Sequence, residues 1–351
     1  MKSVASSAPG CIRVAAFTGG KSISSPRFRV RQYIPHLPQY GVSVTEYEAR
    51  FGSWPPAGKM SRPFWLPATV IDRIPGVVQS YRYDMTLLQR EMVSTLLTLE
   101  RFTHRPRVLD VDDAVWLNGR AERNFPALAR MCDGVICGND FIADNVRRWN
   151  RETFVLPTAV DTDLFRPMAA PATSAAKQII GWSGLAFNLK YLLGIETALA
   201  AVLDKHKNAV LRVVSSTKPI FRLLDDSRVE YLPWSIESEV KTIQEMSIGL
   251  MPIDDDDWGR GKCSYKMLLY MSCGLPVVVA PVGMNNEVLS KGAVGFGPRS
   301  IAEWADCITW LLENQEKGRA MGVAGRQVVE DHYSLRLLSP KLAGYLKKFS
   351  K

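Results

Sequence analysis

The stretch that decides the fold is residues 258–287, WGRGKCSYKMLLYMSCGLPVVVAPVGMNNE. It begins as a basic loop with glycines, continues as an apolar helix, passes through a Gly-Leu-Pro turn and enters a buried strand. A second polar loop, which ends at Glu287, follows that strand. Two loops at one edge of a sheet, the first with Lys262 and the second with backbone amides, predict a site for an anion such as a nucleotide diphosphate.

The rest of the chain repeats this pattern of strand and helix. Short apolar runs with β-branched residues alternate with longer amphipathic runs, which predicts an α/β fold with parallel sheets and crossover helices. In the first half, strands are predicted at residues 12–17, 43–46, 85–88, 107–109, 134–137 and 153–156. In the second half, strands are predicted at residues 178–182, 210–215, 229–232, 248–251, 276–280 and 294–296, and helices at residues 191–205, 237–246, 265–272, 301–313, 317–332 and 335–349.

The length of 351 residues predicts two domains, because it exceeds the size of one ordinary core. Residues 161–177 contain prolines and small residues with little periodicity, so they are predicted to connect the domains. We expect a Rossmann-like domain at residues 1–165, a second at residues 166–335, and a helix at residues 336–351 that packs back on the first domain. The expected ligand site is the cleft between the two facing domains.

The composition is that of an ordinary globular protein, with 46% hydrophobic and 23% charged residues. No apolar run approaches the roughly 20 residues that a membrane-spanning helix needs, and residues 1–10 lack the apolar stretch of a secretory signal. We therefore expect a cytoplasmic protein, with peripheral attachment to the inner face of the cytoplasmic membrane as an extension of that expectation. The six cysteines contain no C-x-x-C pair, which favours reduced, buried thiols over disulfides or a zinc site.

The formal net charge of +9 is concentrated in the first half of the chain. Residues 1–170 hold 22 Lys and Arg, of which 19 are Arg, against 16 Asp and Glu, a net of +6. This excess suits an anionic partner such as a phosphorylated substrate or an acidic membrane surface, although a solubilising surface has the same composition. Nucleic acid is disfavoured because no zinc finger, helix-turn-helix or RNP-type aromatic motif accompanies the charge.

Glycine or polar residues follow most of the predicted strands of the first half. Gly19 and Gly20 follow the first strand, Arg90 the third, and Asn139 the fifth. The carboxyl ends of parallel strands lie at one edge of a sheet, so these residues are predicted to form one wall of a site. The glycine pair lacks the G-x-G-x-x-G spacing of dinucleotide binders, which argues against a dehydrogenase.

Motifs along nearly the whole chain occur in the order expected of a known family. Residues 261–287 resemble the donor-site signature of the retaining glycosyltransferases of family 4, which have the GT-B fold. Motifs in the correct order are harder to obtain by chance than any single motif. The further matches are residues 25–29 (SPRFR), 33–35 (YIP), 89–90 (QR), 110–114 (DVDDA), Asn139, 157–161 (PTAVD), 181–184 (GWSG) and 332–334 (HYS).

The resemblance implies that the second domain binds a nucleoside diphosphate sugar and that the first binds a glycan or lipid-linked acceptor, as in cell-envelope polysaccharide biosynthesis. It also implies retention of the anomeric configuration, with no required metal or cofactor. Lys262 is the first candidate to neutralise the departing diphosphate, and Lys266 is either a second cation or a surface lysine. The predicted donor-binding residues are Gly19, Gly20, Ser183, Gly184, Gly261, Lys262, Lys266, Gly283, Asn285, Asn286 and Glu287, and the predicted acceptor-binding residues are Arg27, Arg90 and Asn139.

One departure from the family pattern concerns recognition of the donor sugar. Family members commonly carry two glutamates eight positions apart, the first for the sugar hydroxyls and the second for the ribose, but Gly261 and Leu269 occupy these places here. Sugar and ribose are therefore expected to contact backbone groups, Asn285, Asn286 or Glu287. Glu287 alternatively caps the helix that follows it.

A second departure concerns the acceptor. Many family members present a histidine at the end of the fourth strand, where this chain has Asp110, Asp112 and Asp113. We hypothesise that Asp112 or Asp113 accepts a hydrogen bond or a proton from the acceptor hydroxyl. The alternative is a turn and helix cap, because aspartate is common in both.

Two further segments of the first half carry specific predictions. Ser25 is a candidate N-cap with Pro26 in the first turn, and helical spacing places Arg27 and Arg31 on one face, toward a diphosphate, an anionic bilayer or solvent. The aromatic and proline residues at 51–67 are predicted to form an irregular insertion, which is either packed or in contact with a membrane or acceptor lipid.

The function that these observations favour is a retaining glycosyltransferase. One alternative is a nucleotide-sugar epimerase or phosphorylase-like enzyme of the same fold, and an epimerase would change the donor with no acceptor present. The other is a sugar-nucleotide-binding protein of weak activity, which the two missing glutamates favour. Such a protein would bind the donor but release no nucleotide.

Overall fold

The computed structural model describes residues 10–21, 23–56, 58–119, 121–168 and 177–350. The chain divides into two compact units, which we call unit 1 (Met1–Ala159 and Leu335–Lys351) and unit 2 (Val160–Ser334). The boundary drawn from the sequence, between residues 165 and 166, falls within unit 2. Part of the predicted connection at residues 161–177 and nearly all of residues 1–10, for which no signal was predicted, lie outside the described residues.

Unit 1 is built on a six-stranded sheet in which all neighbouring strands are parallel, in the order β2-β1-β3-β4-β5-β6. The central strands are apolar and buried on both faces, as parallel sheets covered by helices require. The strands are β1 (Ile12–Thr18), β2 (Val42–Glu48), β3 (Met85–Gln89), β4 (Arg107–Val111), β5 (Gly134–Cys137) and β6 (Thr153–Val155). The helices that lie between them are α1 (Ser24–Arg29), α2 (Arg62–Ser80), α3 (Ala121–Met131) and α4 (Asp140–Val146).

Unit 2 has a second six-stranded parallel sheet, in the order β12-β11-β10-β7-β8-β9. Its strands are β7 (Gln178–Ser183), β8 (Ala209–Ser215), β9 (Val229–Pro233), β10 (Ile248–Met251), β11 (Val277–Val279) and β12 (Gly295–Phe296). Its helices are α5 (Leu189–Gly194), α6 (Glu196–Lys205), α7 (Ile236–Gln244), α8 (Asp257–Arg260), α9 (Tyr265–Ser272), α10 (Met284–Leu289), α11 (Ile301–Glu313) and α12 (Gln315–His332). The two parallel sheets confirm the predicted α/β fold class.

Each sheet reverses its direction of growth at one place. In unit 1 the chain runs from β1 to β2 on one side and then to β3 on the other, so the reversal lies between β1 and β3. In unit 2 the corresponding reversal lies between β7 and β10. Crossover connections that leave in opposite directions open a crevice beyond the carboxyl ends of the strands, which is where open α/β sheets bind ligands.

The C-terminal helix α13 (Leu335–Phe349) belongs to unit 1. Its apolar face, which includes Leu338, Leu342 and Leu346, joins the hydrophobic core formed with β1, β3 and β4. The Tyr345 hydroxyl also donates a hydrogen bond to the carbonyl of Val155 in β6, at 3.2 Å. These contacts place α13 in the first core although it follows the whole of unit 2 in the chain.

The predicted strands agree with the observed strands to within two residues at each end. The predicted helix at residues 191–205 is instead two helices, α5 and α6, because α5 ends at Gly194, a residue that favours helix ends over helix interiors. Of the described helices, none is long and apolar enough to span a membrane alone, but residues 186–194 and 196–205 meet that criterion together as a pair bent by 64°.

Two local predictions in unit 1 were wrong. The segment at residues 51–67 is not wholly irregular, because α2 begins at Arg62 and continues past Pro67 and Pro75. Tertiary contacts of its inward face outweigh the two prolines. Ser25 is not an N-cap: Ile23 occupies that position, and the Ser25 hydroxyl donates to Asp112 instead.

Candidate active site

Three loops meet at the carboxyl edge of the unit 2 sheet, beside the reversal between β7 and β10. Gly283, which follows β11, has φ of 51° and lies against the backbone of the β10–α9 loop. A Cβ atom at Gly283 would come within 2.9 Å of the Arg260 Cα and carbonyl oxygen. A Cβ atom at Gly184, which follows β7, would come within 2.5 Å of the Lys266 Nζ. The glycines therefore permit a close approach that brings together the segments predicted to bind an anion.

Lys262 lies between aromatic side chains from two of these loops. Its Nζ lies 4.2 Å from the ring centroid of Trp258 in α8 and 6.0 Å from that of Phe187, which follows β7. Cation–π attraction holds the ammonium group at the edge of the sheet. The side chain is half-buried. Lys262 is thus a positioned cation at the point where the sheet reverses.

Lys266 also directs its ammonium group to this edge. Its Nζ lies 4.8 Å from the ring centroid of Trp182, a fully buried residue near the end of β7. The side chain therefore crosses from the first turn of α9 toward the loop after β7, rather than extending along the outer surface of the helix. Two cations, one from the β10–α9 loop and one from α9, consequently flank the reversal.

Polar groups at the start of α9 and α10 add to the site. Ser264, the residue before α9, has φ of 52° and is buried, and its hydroxyl has no hydrogen-bond partner among the described residues. Asn285 is also buried: its Nδ2 donates to the Ala280 carbonyl at 3.0 Å, and its Oδ1 has no partner in the described part of the chain. The N–H groups at the N-terminus of α9 contribute further positive potential. Two buried polar atoms thus remain available beside the two lysines.

Tyr270 ties the end of β7 to α9. The backbone N–H of Ser183 donates to the Tyr270 hydroxyl at 2.8 Å, and the tyrosine is completely buried. Its ring packs over Gly249 in β10, where an added Cβ would lie 2.3 Å from the ring. Burial raises the pKa of the Tyr270 hydroxyl well above its usual value, so the group stays neutral. This role was not predicted from the sequence, although a glycine within a buried strand is the pattern that accompanies close packing.

The carboxyl edge of the unit 1 sheet carries a network of charges. Arg90, which has φ of 59°, donates from Nη2 to Asp112 Oδ1 and to Asp113 Oδ2, both at 2.6 Å. Ser25 donates to the other oxygen of Asp112. Burial opposes ionisation of Asp112, but the charges of Arg90 and Arg29 outweigh it and lower its pKa. Asp112 is therefore a carboxylate that accepts hydrogen bonds and is a weak proton acceptor.

The other predicted residues of unit 1 have varied surroundings. Asn139 is the N-cap of α4 and its Oδ1 accepts from the Ile142 N–H at 2.8 Å. The guanidinium of Arg27 lies 4.6 Å from the ring centroid of Phe28, whereas Arg31 donates to Glu46 at 2.7 Å. Since α1 ends at Arg29, the predicted common helical face of Arg27 and Arg31 was wrong.

Gly19 and Gly20 follow β1 in a tight turn. A Cβ at Gly19 would lie 2.9 Å from the Ile23 side chain, and a Cβ at Gly20 would lie 3.4 Å from the Ala49 carbonyl oxygen. Arg31 donates from Nη2 to the Gly19 carbonyl at 3.0 Å, which holds the turn from the other side. The glycines therefore serve close packing of the turn at the reversal between β1 and β3.

Asp110 lies below this network, in the interior of unit 1. It is the last but one residue of β4 and pairs with Arg29, whose Nη2 lies 2.6 Å from Asp110 Oδ1. Arg29 also donates from Nη1 to the Leu156 carbonyl at 2.7 Å. Both side chains are almost completely buried. This pair joins α1 to the carboxyl ends of β4 and β6. It therefore positions the loop that carries Asp112 and Asp113, and it is not itself exposed for chemistry.

Comparison with known proteins decides the class of this site. Residues 177–314, which include both lysines and the three loops, match the family model described as Glycosyl transferases group 1. The chain is a glycosyltransferase with a group 1 domain. The match confirms the predicted enzyme class. No curated protein sequence matches the chain.

Solved structures confirm the GT-B fold of this glycosyltransferase. HepE from Anabaena, in complex with UDP and glucose, has a TM-score of 0.71 with 16% identity and covers 96% of this chain and 100% of its own. Sucrose-phosphate synthase from Thermosynechococcus elongatus has a TM-score of 0.70 with 16% identity, covering 96% and 98%. WaaG, a glycosyltransferase involved in lipopolysaccharide biosynthesis, has a TM-score of 0.64 with 14% identity, covering 94% and 98%.

The glycosyltransferase has no carboxylate at the two positions where family members carry glutamates. Gly261 is the C-cap that follows α8, and its N–H donates to the Asp257 carbonyl at 3.0 Å, whereas Leu269 is buried in α9. Glu287 lies in α10 and accepts from the Tyr333 hydroxyl at 3.2 Å, so it is engaged within unit 2. Asn286 is exposed on the same helix. Sugar recognition by these residues stays a prediction.

Replacement of Tyr270 by Phe in this glycosyltransferase is expected to lower the free energy of unfolding by about 1–3 kcal/mol, because the Ser183 N–H loses its partner. The end of β7 should also become less well held, which we expect to weaken donor binding by about three- to tenfold. Chemical denaturation and calorimetric titration measure the two effects.

The matched control for this change is Tyr231→Phe, which removes a hydroxyl that donates to the Ser215 carbonyl at 3.2 Å in the same sheet. It should lower the free energy of unfolding but leave the dissociation constant of the donor unchanged. The reason is that β8 and β9 lie to one side of the β7–β10 reversal, where the donor is expected to bind. Equal weakening of donor binding by both variants would contradict a specific role for Tyr270.

Proposed function

We propose that the chain is a retaining glycosyltransferase that moves a sugar from a nucleoside diphosphate sugar to a glycan or lipid-linked acceptor. The observation that carries this proposal is the pair of ammonium groups, Lys262 and Lys266, at the carboxyl edge beside the β7–β10 reversal. The N-terminus of α9 lies between them in the chain. Such an arrangement suits a diphosphate. HepE, which has the same fold, also has a solved structure in complex with UDP-glucose.

The proposed chemistry depends on stabilisation of the leaving group. As the bond between sugar and phosphate breaks, positive charge develops on the sugar and negative charge on the diphosphate. Lys262 and Lys266 offset the negative charge with groups that are already in place, and preorganised charges of this kind lower the barrier. Ser264 Oγ and Asn285 Oδ1 are buried polar atoms that can hydrogen-bond to donor hydroxyls in place of the missing glutamates.

The acceptor is proposed to bind at the carboxyl edge of unit 1. Asp112 is held as a carboxylate by Arg90 and Ser25, and Asp113 shares the same arginine. Carboxylate oxygens in this position can accept a hydrogen bond from an acceptor hydroxyl and orient it. A role in cell-envelope polysaccharide biosynthesis is a further part of the proposal, supported by the arginine excess of the first half of the chain and by the lipopolysaccharide role stated for WaaG.

Addition of the correct donor is expected to stabilise the protein against thermal unfolding. A ligand present at about 100 times its dissociation constant adds roughly 2.7 kcal/mol if it binds only the folded state. The measurement is a thermal-shift screen with a panel of nucleoside diphosphate sugars, with the corresponding nucleoside monophosphates as controls. Equal stabilisation by monophosphates, or none by any diphosphate sugar, would argue against the proposed donor site.

Gly261 and Leu269 favour a second candidate function, because their side chains cannot make the contacts of the two glutamates that family members commonly carry. It is a sugar-nucleotide-binding protein with little transfer activity. The same donor would then stabilise the protein, but no nucleoside diphosphate would be released when acceptors are supplied. Release of nucleotide that depends on an acceptor would exclude this candidate.

A further inference from the structure

Helix α2 presents apolar side chains to solvent and polar side chains to the protein, the reverse of an ordinary surface helix. Of its five buried residues only one has a large apolar side chain. The five are Thr69, Arg73, Gly76, Val77 and Ser80. The side of the helix that faces unit 1 is therefore mostly polar, and most of its large apolar side chains face solvent.

The outward side of α2 carries a continuous apolar row, which we call the α2 stripe. Phe64 is 80% exposed and Ile71 is 63% exposed, values that are unusual for such large apolar side chains. The spacing of the row is three, four or seven residues, so its members share one helical face. The α2 stripe consists of Phe64, Ile71, Ile74 and Val78, and the exposed Met60 lies in the short 3₁₀ helix just before α2.

Contacts on the inner side fix the rotation of the helix. Arg73 donates from Nη1 to the Tyr47 carbonyl at 2.7 Å and from Nη2 to the Thr18 carbonyl at 2.6 Å. Gly76 packs so closely that an added Cβ would lie 3.0 Å from the rings of Phe17 and Tyr47. A rotation that buried the α2 stripe would break these contacts. The stripe is therefore a permanent feature of the surface of unit 1.

The charges around the α2 stripe are basic at both ends. Arg62 begins the helix and Arg82 follows it, and both side chains are exposed. Residues 60–82 contain three arginines and one aspartate, a net charge of +2. The aspartate, Asp72, is half-buried and pairs with Arg50 at 3.6 Å. The stripe thus combines an apolar row with positive ends.

Aromatic side chains extend the exposed apolar surface at the same two ends. Trp54 precedes the helix and Tyr81 follows it, and each is more than half exposed. The Trp65 Nε1 donates to the Phe51 carbonyl at 2.9 Å, which ties the segment before the helix to its first turns. Tryptophan, tyrosine and arginine are the side chains that favour the boundary between lipid headgroups and acyl chains.

We propose that α2 lies in the surface of an anionic lipid bilayer, with the α2 stripe in the boundary between headgroups and acyl chains. The 19 residues of the helix give a contact about 28 Å long, parallel to the membrane plane. A second copy of the chain suits the stripe less well. Paired helices would bring arginine against arginine in either orientation, because Arg62 and Arg82 stand at opposite ends, whereas anionic headgroups neutralise both. This inference does not depend on the donor site.

The test measures co-sedimentation of the full chain with lipid vesicles. Vesicles of phosphatidylcholine with about 30% phosphatidylglycerol supply the anionic surface, and vesicles of phosphatidylcholine alone are the neutral comparison. The double variant Phe64→Glu/Ile71→Glu is expected to bind anionic vesicles about 100-fold more weakly, because two large apolar side chains lose their insertion. The double variant Ile301→Glu/Val323→Glu makes the same charge change at exposed apolar positions of α11 and α12 and should bind like the unaltered protein.

The outcomes separate the bilayer from other occupants. Absence of binding by the unaltered protein, equal binding to neutral and anionic vesicles, or unchanged binding by Phe64→Glu/Ile71→Glu would each overturn the proposal. The unaltered protein could instead sediment as a dimer and bind no vesicles, while the variant sediments as a monomer. That outcome would assign the stripe to contact with a second copy. If the variant does not fold, acyl chains labelled with bromine should quench a tryptophan component that Trp54→Phe removes, and absence of quenching would again overturn the proposal.

Discussion

Replacement of Lys262 by Ala is expected to lower kcat for sugar transfer by about 10²–10³-fold, the usual cost of one preorganised group that stabilises developing negative charge. The ammonium group lies over Trp258 and near Phe187, so it is in place before the reaction begins. Alanine removes both the charge and its positioning. The rate of nucleoside diphosphate release, at a saturating concentration of the donor found by the thermal-shift screen, measures the effect.

The matched control is Arg260→Ala, which removes one positive charge two residues earlier in the same loop. The Arg260 guanidinium pairs with Asp255 at 2.9 Å and with Asp257 at 3.3 Å, and these exposed carboxylates balance its charge. We expect less than about a threefold change in kcat, since exposed ion pairs contribute little. An equal loss of rate in both variants would contradict a specific role for Lys262. Restoration of part of the rate by Lys262→Arg would support the role of its charge.

Replacement of Arg29 by Met is expected to lower the free energy of unfolding of unit 1 by about 3–5 kcal/mol, because it leaves the buried Asp110 without its partner. Methionine fills much of the same volume but carries no charge. Burial already raises the pKa of Asp110 in the folded protein, and loss of Arg29 removes the main opposing effect. Urea unfolding, followed by signals from each unit, measures the change.

The loss should depend on pH in a defined direction. In the variant, the pKa of folded Asp110 lies above that of the unfolded chain, so protonation relieves the unpaired charge. Destabilisation is therefore smallest below the unfolded pKa, near 4, and grows as the pH rises through the raised pKa of the folded state. The double variant Arg29→Met/Asp110→Leu should recover most of the stability at neutral pH, because it removes both buried charges.

The control for this prediction is Arg13→Met, which breaks a more exposed pair in the same unit. The Arg13 Nη2 lies 3.0 Å from Asp84 Oδ1, and both side chains are more than one third exposed. The expected loss is about 1 kcal/mol or less, since water compensates the charge that remains. A large loss from Arg13→Met, or a loss from Arg29→Met that does not vary with pH, would contradict the account of the buried pair.

Much of the fold was predictable because its signals are local. Apolar runs of four to six residues set the strands, as in β5 and β10, which begin and end at the predicted residues. Parallel strands place their carboxyl ends at one edge, so Lys262 and Gly283 could be assigned to one site before their separation was known. The family resemblance joined these signals in one order, and the match of residues 177–314 to the group 1 glycosyltransferases confirmed the enzyme class.

Other features could not be predicted because they depend on residues far apart in the chain. Tyr270 reaches the Ser183 N–H only because Gly249 leaves room above β10. Arg90 was predicted to bind the acceptor, but its guanidinium is held by Asp112 and Asp113. Neither partnership appears as a periodicity or as a motif. Each depends on the order of strands within a sheet.

The sequence by itself determined the class of fold, the strand ends and the basic character of the β10–α9 loop, because these follow from hydrophobic periodicity and from the chemistry of neighbouring residues. Only the tertiary structure decided which side of α2 faces the protein. In the sequence, Phe64 and the nearby prolines were predicted to form an irregular insertion. In the structure, the hydrogen bonds of Arg73 and the packing of Gly76 hold a helix whose apolar side faces outward. The physical reason is that rotation of a helix is set by contacts with distant strands, which a local pattern does not contain.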